Sequence, residues 1–211
     1  MLQRSDEWLQ ARCGCVTASR VRDITATTKS GGWTADREGY MGEIVSECLT
    51  GRPYPQYVNA AMEHGNEKEA SARFRYALAQ GVEITEVGFI RHPTIERAGA
   101  SPDGLVGTDG LVEIKCPYKT AIHIKRLTGA KIEAATLDQI QFQMACCGPS
   151  RQWCDFVSFD DRLPEEMQLH IRRIPRDDEY IAKMEEQVIQ FLIDVNATVD
   201  LLRKRYMQEA A

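Results

Sequence analysis

No apolar run in the 211-residue chain approaches the ~20 residues that a membrane-spanning helix needs. The first residues, Met1-Leu2-Gln3-Arg4-Ser5-Asp6-Glu7, lack the apolar stretch of a secretory signal. Both absences lead to the expectation of a cytoplasmic protein with no membrane partner. Cys-x-x-Cys pairs are also missing. The seven cysteines stand at 13, 15, 48, 116, 146, 147 and 154, a spacing that fits neither a zinc ribbon nor a clustered iron–sulfur site. Reduced thiols packing as small apolar groups are expected instead. No internal repeat, low-complexity tract or Pro/Gly-rich linker divides the chain, so a single domain over 1–211 is expected. Positive charge is scarce too, with 26 Lys and Arg against 31 Asp and Glu and a net charge of −5. That balance opposes phosphate binding by the surface as a whole. Residues 118–131 gather cations without an acid, namely Lys119, Lys125, Arg126 and Lys131. They form either a phosphate-facing patch or a solvated helix face.

What the chain does contain is an ordinary globular mixture, 43% hydrophobic and 27% charged, long enough to bury a core. The first third reads as helical. Ser5 caps a helix to about Cys13, Thr17 caps one from Ala18 to Ile24, and longer helices run over roughly 35–49 and 59–80, stopped by Gly51 and Gly81. The polar loop 27–32 separates them. The period then changes: Val82 to Arg91 and Gly104 to Cys116 read as strands broken by turn residues. Helices follow at 118–128 and 134–147, and strands at 153–159 and 167–174. A closing helix over about 177–205 carries Ile181, Met184, Val188, Phe191, Val195, Val199 and Leu202 as one stripe. Helices around a small sheet imply a layered α/β or α+β domain.

The chemistry concentrates in Leu111-Val112-Glu113-Ile114-Lys115-Cys116. Alternation places Val112, Ile114 and Cys116 on a core face, and Glu113 and Lys115 together on the other. Asp103 precedes Glu113 by ten residues, in a turn opening a hairpin that returns to this strand. Two carboxylates and a lysine thus converge. A hard Mg²⁺ ion takes oxygen ligands and keeps several waters, so two carboxylates and a main-chain carbonyl suffice to anchor it. A lysine beside it orients an attacking water and offsets developing charge. Pro-Asp, nine residues, then Glu-x-Lys is the pattern of the PD-(D/E)xK nucleases.

Four ordered blocks resemble the lambda-exonuclease-like, or YqaJ-like viral recombinase, family. They are Trp8-Leu9-Gln10-Ala11-Arg12 with Val16-Thr17-Ala18-Ser19; Gly65-Asn66-Glu67-Lys68-Glu69 with Ala72-Arg73; Ser101-Pro102-Asp103-Gly104-Leu105 with Glu113-Ile114-Lys115-Cys116-Pro117; and Gln139-Ile140-Gln141-Phe142. The resemblance implies an α/β restriction-endonuclease-like core, a small mixed β-sheet flanked by helices. It implies a Mg²⁺-dependent (or Mn²⁺-dependent) 5′→3′ exonuclease on double-stranded DNA ends. Such an enzyme releases 5′-mononucleotides and leaves a 3′ overhang for phage-type recombination. The family also implies a homotrimeric ring and a single-strand annealing protein as partner.

Roles carry over residue by residue. Asp103, Glu113 and the Ile114 carbonyl are the implied metal ligands, with Glu69 assisting directly or through water. Lys115 is the implied catalytic lysine, with Gln141 contacting it or the attacking water. Arg12, Ser19 and Ser101 are the implied holders of the 5′-phosphate, Met62 the implied wedge at the duplex end, and Lys29 a groove contact. The residues themselves allow blander roles: an i,i+4 ion pair of Glu69 with Arg73, and a core-satisfied Gln141. An endonuclease of the same superfamily without an end pocket, and a non-catalytic DNA-binding scaffold, are the rival functions.

Overall fold

The computed structural model describes residues 3–55 and 57–207. Its helices are α1 (Asp6–Arg12), α2 (Val21–Thr25), α3 (Ala35–Thr50), α4 (Ala60–Gln80), α5 (Thr120–Leu127), α6 (Ala134–Cys146) and α7 (Asp178–Tyr206). Its strands are β1 (Val16–Thr17), β2 (Ile84–Thr85), β3 (Ile90–Arg91), β4 (Ala98–Ala100), β5 (Gly104–Val106), β6 (Gly110–Lys115), β7 (Trp153–Phe159) and β8 (Leu169–Pro175). Side-chain caps start the helices where sequence places them: Ser5 accepts from the Trp8 N–H, Thr34 from Arg37, Asn59 from Ala61 and Met62, and Asp177 from Tyr180. Gly81 closes α4 in the left-handed conformation, φ 65°, which a side chain disfavours.

The strands form two sheets. One is three-stranded in the order β1-β4-β3; the other is five-stranded and mixed, in the order β2-β5-β6-β7-β8, with β6 and β7 parallel. Helix α4 covers one face of the larger sheet, packing Ala72 and Tyr76 against Val106, Val112, Ile114 and Val157. Helix α6 covers the other, packing Ile140 and Met144 against Leu111, Cys154 and Phe156. The third and largest apolar cluster joins α2, α3, α6 and α7 to β1 and β4, with the expected α7 stripe in it from Met184 to Leu202. The molecule is therefore a mixed α/β fold with its sheets flanked by helices, and no helix among the described residues is long and apolar enough to cross a membrane.

Three local expectations change. Thr17 makes no cap; it ends β1, which pairs in parallel with Ala98 and Gly99, and a 3-10 turn (Ala18–Arg20) leads into α2. The run 82–91 is two short strands in different sheets. β4 is Ala-Gly-Ala, a sequence of low strand propensity that only its neighbours hold extended. The thiols behave as apolar packers, all seven unpaired.

Candidate active site

Strand β6 carries the site between α4 and α6. Its alternation is as the sequence implies, but both faces are covered. Val112, Ile114 and Cys116 meet the α4 side, while Glu113 faces α6 and is only 1% exposed. A strand inside a mixed sheet has no wet face, so a carboxylate there needs partners. Glu113 has three: Oε1 accepts from Gln139 at 2.8 Å and pairs with the Lys115 ammonium at 2.6 Å, and Oε2 accepts from Gln143 at 2.7 Å. Lys115 also donates to Gln139 Oε1 at 3.2 Å, so Glu113, Lys115 and Gln139 close a ring.

Gln141 is not in that ring. Its amide donates to the Pro175 carbonyl at 2.9 Å and accepts from the Asp177 N–H at 3.0 Å, anchoring the chain between β8 and α7. The expected contact with Lys115 is made by Gln139 instead. The signal was in the sequence: glutamines at 139 and 143 are four apart and share a helix face, whereas 141 points elsewhere.

The β5–β6 turn brings Asp103 to the same place. Its Oδ2 accepts from the Ile114 N–H at 2.6 Å, leaving Oδ1 for another partner. Burial raises the Asp103 pKa well above the usual carboxylate range, and repulsion from Glu113 and Glu69 adds to it. Burial pulls the Lys115 ammonium the other way, but Glu113 and Asp103 outweigh it and hold its pKa above the ordinary lysine value. Lys115 thus stands as a donor beside Glu113 and Gln139. Mutually repelling carboxylates that share a site are what a divalent cation relieves. Asp103, Glu113 and the Ile114 carbonyl fit a hard cation that keeps waters. No three acid, His or Cys side chains are gathered in a ready-made cage among the described residues. Glu69 lines the cleft, but both its oxygens are taken: one by Arg73, the i,i+4 pair, and one by Arg4.

Asp103, Glu113, Ile114, Lys115 and Glu69 line one open cleft of about 670 Å³. Against it lies a cavity of about 610 Å³ lined by Arg12, Ser19 and Ser101. Arg4, Met62, Asn66 and Gln139 line both, so the two are adjoining compartments. Trp8 organises the second: its ring carries the Arg12 guanidinium 3.8 Å above it, and its indole N–H donates to the Ser101 hydroxyl at 2.9 Å. Burial lowers the Arg12 pKa, but a guanidinium stays charged. Met62, in the first turn of α4, is 45% exposed at the shared boundary. Lys29 is exposed on a loop closed by a Thr27–Trp33 bridge and lines neither compartment.

Several known proteins resemble this chain. The alkaline exonuclease LHK-Exo from Laribacter hongkongensis is 48% identical and superimposes with a TM-score of 0.88, over 98% of this chain and 100% of that one. The structure of LHK-Exo in complex with dAMP matches over the same extent with a TM-score of 0.89. A phage related exonuclease from Haemophilus somnus 129PT is 18% identical with a TM-score of 0.71, over 89% of this chain and 96% of that one, and shows the fold alone. The uncharacterized protein R354 of Acanthamoeba polyphaga mimivirus is 29% identical over 135 residues, 57% of this chain and 22% of that longer protein. This chain therefore spans only about a fifth of the length of that viral relative. Residues 7–150 match the profile of the YqaJ-like viral recombinase domain, a span that holds every residue of both compartments, apart from Gln3 and Arg4 at its edge. The chain is an alkaline-exonuclease-like member of the YqaJ-like viral recombinase family.

Proposed function

We propose that the protein is a Mg²⁺-dependent exonuclease that degrades double-stranded DNA from its 5′ ends, releasing 5′-mononucleotides and leaving a 3′ single-stranded overhang. The observation that carries this is the adjacency of the two compartments. A basic, hydroxyl-lined cavity shares a wall with a carboxylate–lysine cleft, so a terminal phosphate held in one places the next phosphodiester at the other. The dAMP bound to LHK-Exo fits a reaction that ends in mononucleotides. An endonuclease has no use for the end cavity, and a non-catalytic scaffold has none for the Glu113–Lys115–Gln139 ring.

In this reading Asp103, Glu113 and the Ile114 carbonyl would hold the cation, which would supply Lewis-acid stabilisation of charge at the scissile phosphate. Gln139 and Gln143 fix the Glu113 carboxylate, and Lys115 donates to the attacking water or the phosphate. Arg12, Ser19 and Ser101 hold the 5′-phosphate through charge-assisted bonds. Met62 stands where the end base pair must part, and an apolar side chain wedged there offsets part of the unstacking. Glu69 would assist in holding that cation, directly or through water. Lys29 meets the DNA groove from its loop. A homotrimeric ring, working with a single-strand annealing protein in phage recombination, completes the proposal.

Digestion of linear duplexes with 5′-phosphate or 5′-hydroxyl ends, beside closed circles, tests it. Mononucleotide release with Mg²⁺ but not Ca²⁺ or EDTA is expected, faster from phosphorylated ends, with circles intact. Rapid cutting of circles would instead support the endonuclease reading.

A further inference from the structure

The cleft holds an inward-set arginine that the motif does not include. Its lining carries four cations, Arg4, Lys115, Lys119 and Arg126, and four carboxylates, Glu69, Asp103, Glu113 and Glu133. Lys115 is engaged by Glu113 and Arg4 by Glu69. Arg126, in the last turn of α5, is different. Its side chain is 11% exposed, and one terminal nitrogen donates to the buried Ser158 hydroxyl at 3.2 Å. The other pairs at 3.1 Å with Glu133, whose side chain is 51% exposed at the start of α6. The Arg126 Nε–H is buried with no acceptor among the described residues. A guanidinium sunk in a protein core is normally satisfied throughout, so this one is incompletely served by its present neighbours.

We propose that Arg126 is a phosphate contact of the cleft, held in reserve by Glu133 and transferred to the nucleic-acid backbone when substrate enters. This rests on the nuclease reading above and adds a residue to it. Ser158 fixes one prong of the fork, and the Phe156 ring lies 5.1 Å from the guanidinium, so little freedom is left to lose on binding. Exchanging a wet carboxylate for a phosphate conserves charge at Arg126 and frees Glu133 to solvent. The planar fork suits a phosphate better than the flexible Lys119 at the rim.

The experiment measures binding of a 5′-phosphorylated duplex by fluorescence anisotropy in Ca²⁺ across a salt series, with Mg²⁺-dependent cleavage followed in parallel. Glu133→Gln should tighten binding several-fold. Arg126→Met should weaken it about tenfold and reduce the slope of log K against log salt by about one, as loss of one phosphate contact requires. The Glu133→Gln gain should vanish in the double variant. An unchanged salt slope in Arg126→Met, or a Glu133→Gln gain that survives without Arg126, overturns the proposal. If thermal melting shows that Arg126→Met does not fold, Glu133→Gln and Arg126→Lys decide: no gain from the first and no loss from the second overturn it equally. Failure of the wild-type protein to cleave in Mg²⁺ defeats the nuclease reading itself, a separate result.

Discussion

Gln139, Gln141 and Gln143 occupy alternate positions of one helix, and the helix sends them to different tasks. The pair four residues apart faces Glu113; the residue between them joins β8 to α7. Gln139→Leu is therefore expected to lower kcat by about 10- to 100-fold, within the range for a lost electrostatic or positioning group, and also to lower the melting temperature, because the buried Glu113 carboxylate loses one of its three partners. Gln141→Leu should spare kcat. It removes two buried hydrogen bonds, for a loss of about 1–3 kcal/mol in chemical denaturation with kcat intact. If Gln141→Leu is the variant that loses cleavage, the assignment made from the structure is wrong. Lys115→Ala should reduce kcat at least about 100-fold while duplex binding in Ca²⁺ and folding persist. Arg12→Ala should narrow the rate difference between 5′-phosphate and 5′-hydroxyl ends, read from initial rates on the two substrates.

At the scale of elements, the β5–β6 hairpin decides whether Asp103 reaches Ile114. Gly104 follows Asp103 directly, and a Cβ there would meet the Ile84 side chain of β2 at 2.2 Å. Gly104→Ala should destabilise by about 1–3 kcal/mol through overpacking and also depress activity, because the strand carrying Asp103 must shift. Stability and kcat measured on one preparation would show the two losses together. A second element-level contact, His92 to Glu185, ties the end of β3 to α7. The His92 Nδ1 accepts the N–H groups of Thr94 and Ile95 at 3.3 and 3.1 Å, so the ring is neutral and Nε2–H donates to Glu185 at 3.0 Å. Burial lowers the His92 pKa, and the Glu185 charge only partly offsets this. Above the unfolded value near ~6.5 both states are neutral and the group contributes no pH dependence. Below it the unfolded chain takes up a proton that the fold resists. Stability should fall with pH there, by at most about 1.4 kcal/mol per unit from this group, and His92→Asn should flatten that slope in denaturant titrations from pH 7 to 5.

For the whole molecule, the net charge of −5 and the proposed substrate are reconciled by placement. The end cavity is lined by Arg4 and Arg12 with no carboxylate, while the cleft sets four cations against four carboxylates that a bound metal ion would offset, and the field that matters is local. A homotrimeric ring would concentrate such groups further around an enclosed duplex. Sedimentation equilibrium is expected to report three times the 23.8 kDa of one chain. A monomer at working concentration would remove the ring from the proposal and leave the chemistry of the single cleft standing.

Sequence by itself determined α1, α3, α4 and α7, because caps, glycine stops and the α7 stripe are local signals that packing only had to accept. It also determined that Glu113 and Lys115 share a face, since alternation along a strand is geometry. Four ordered motif blocks carried the family as well. What only tertiary structure decided were contacts between distant segments. β4 exists because β1 and β3 flank it, not because Ala-Gly-Ala favours extension. The four-residue spacing pairs Gln139 with Gln143 on one face, but that this face, and not that of Gln141, meets Glu113 depended on how α6 packs on the sheet. Trp8 joins Arg12 to Ser101 across ninety-three residues of chain, and Arg126 enters the cleft through the fold of α5. Local patterns set what each segment becomes; the cleft and the end cavity arise only where packing brings those segments together.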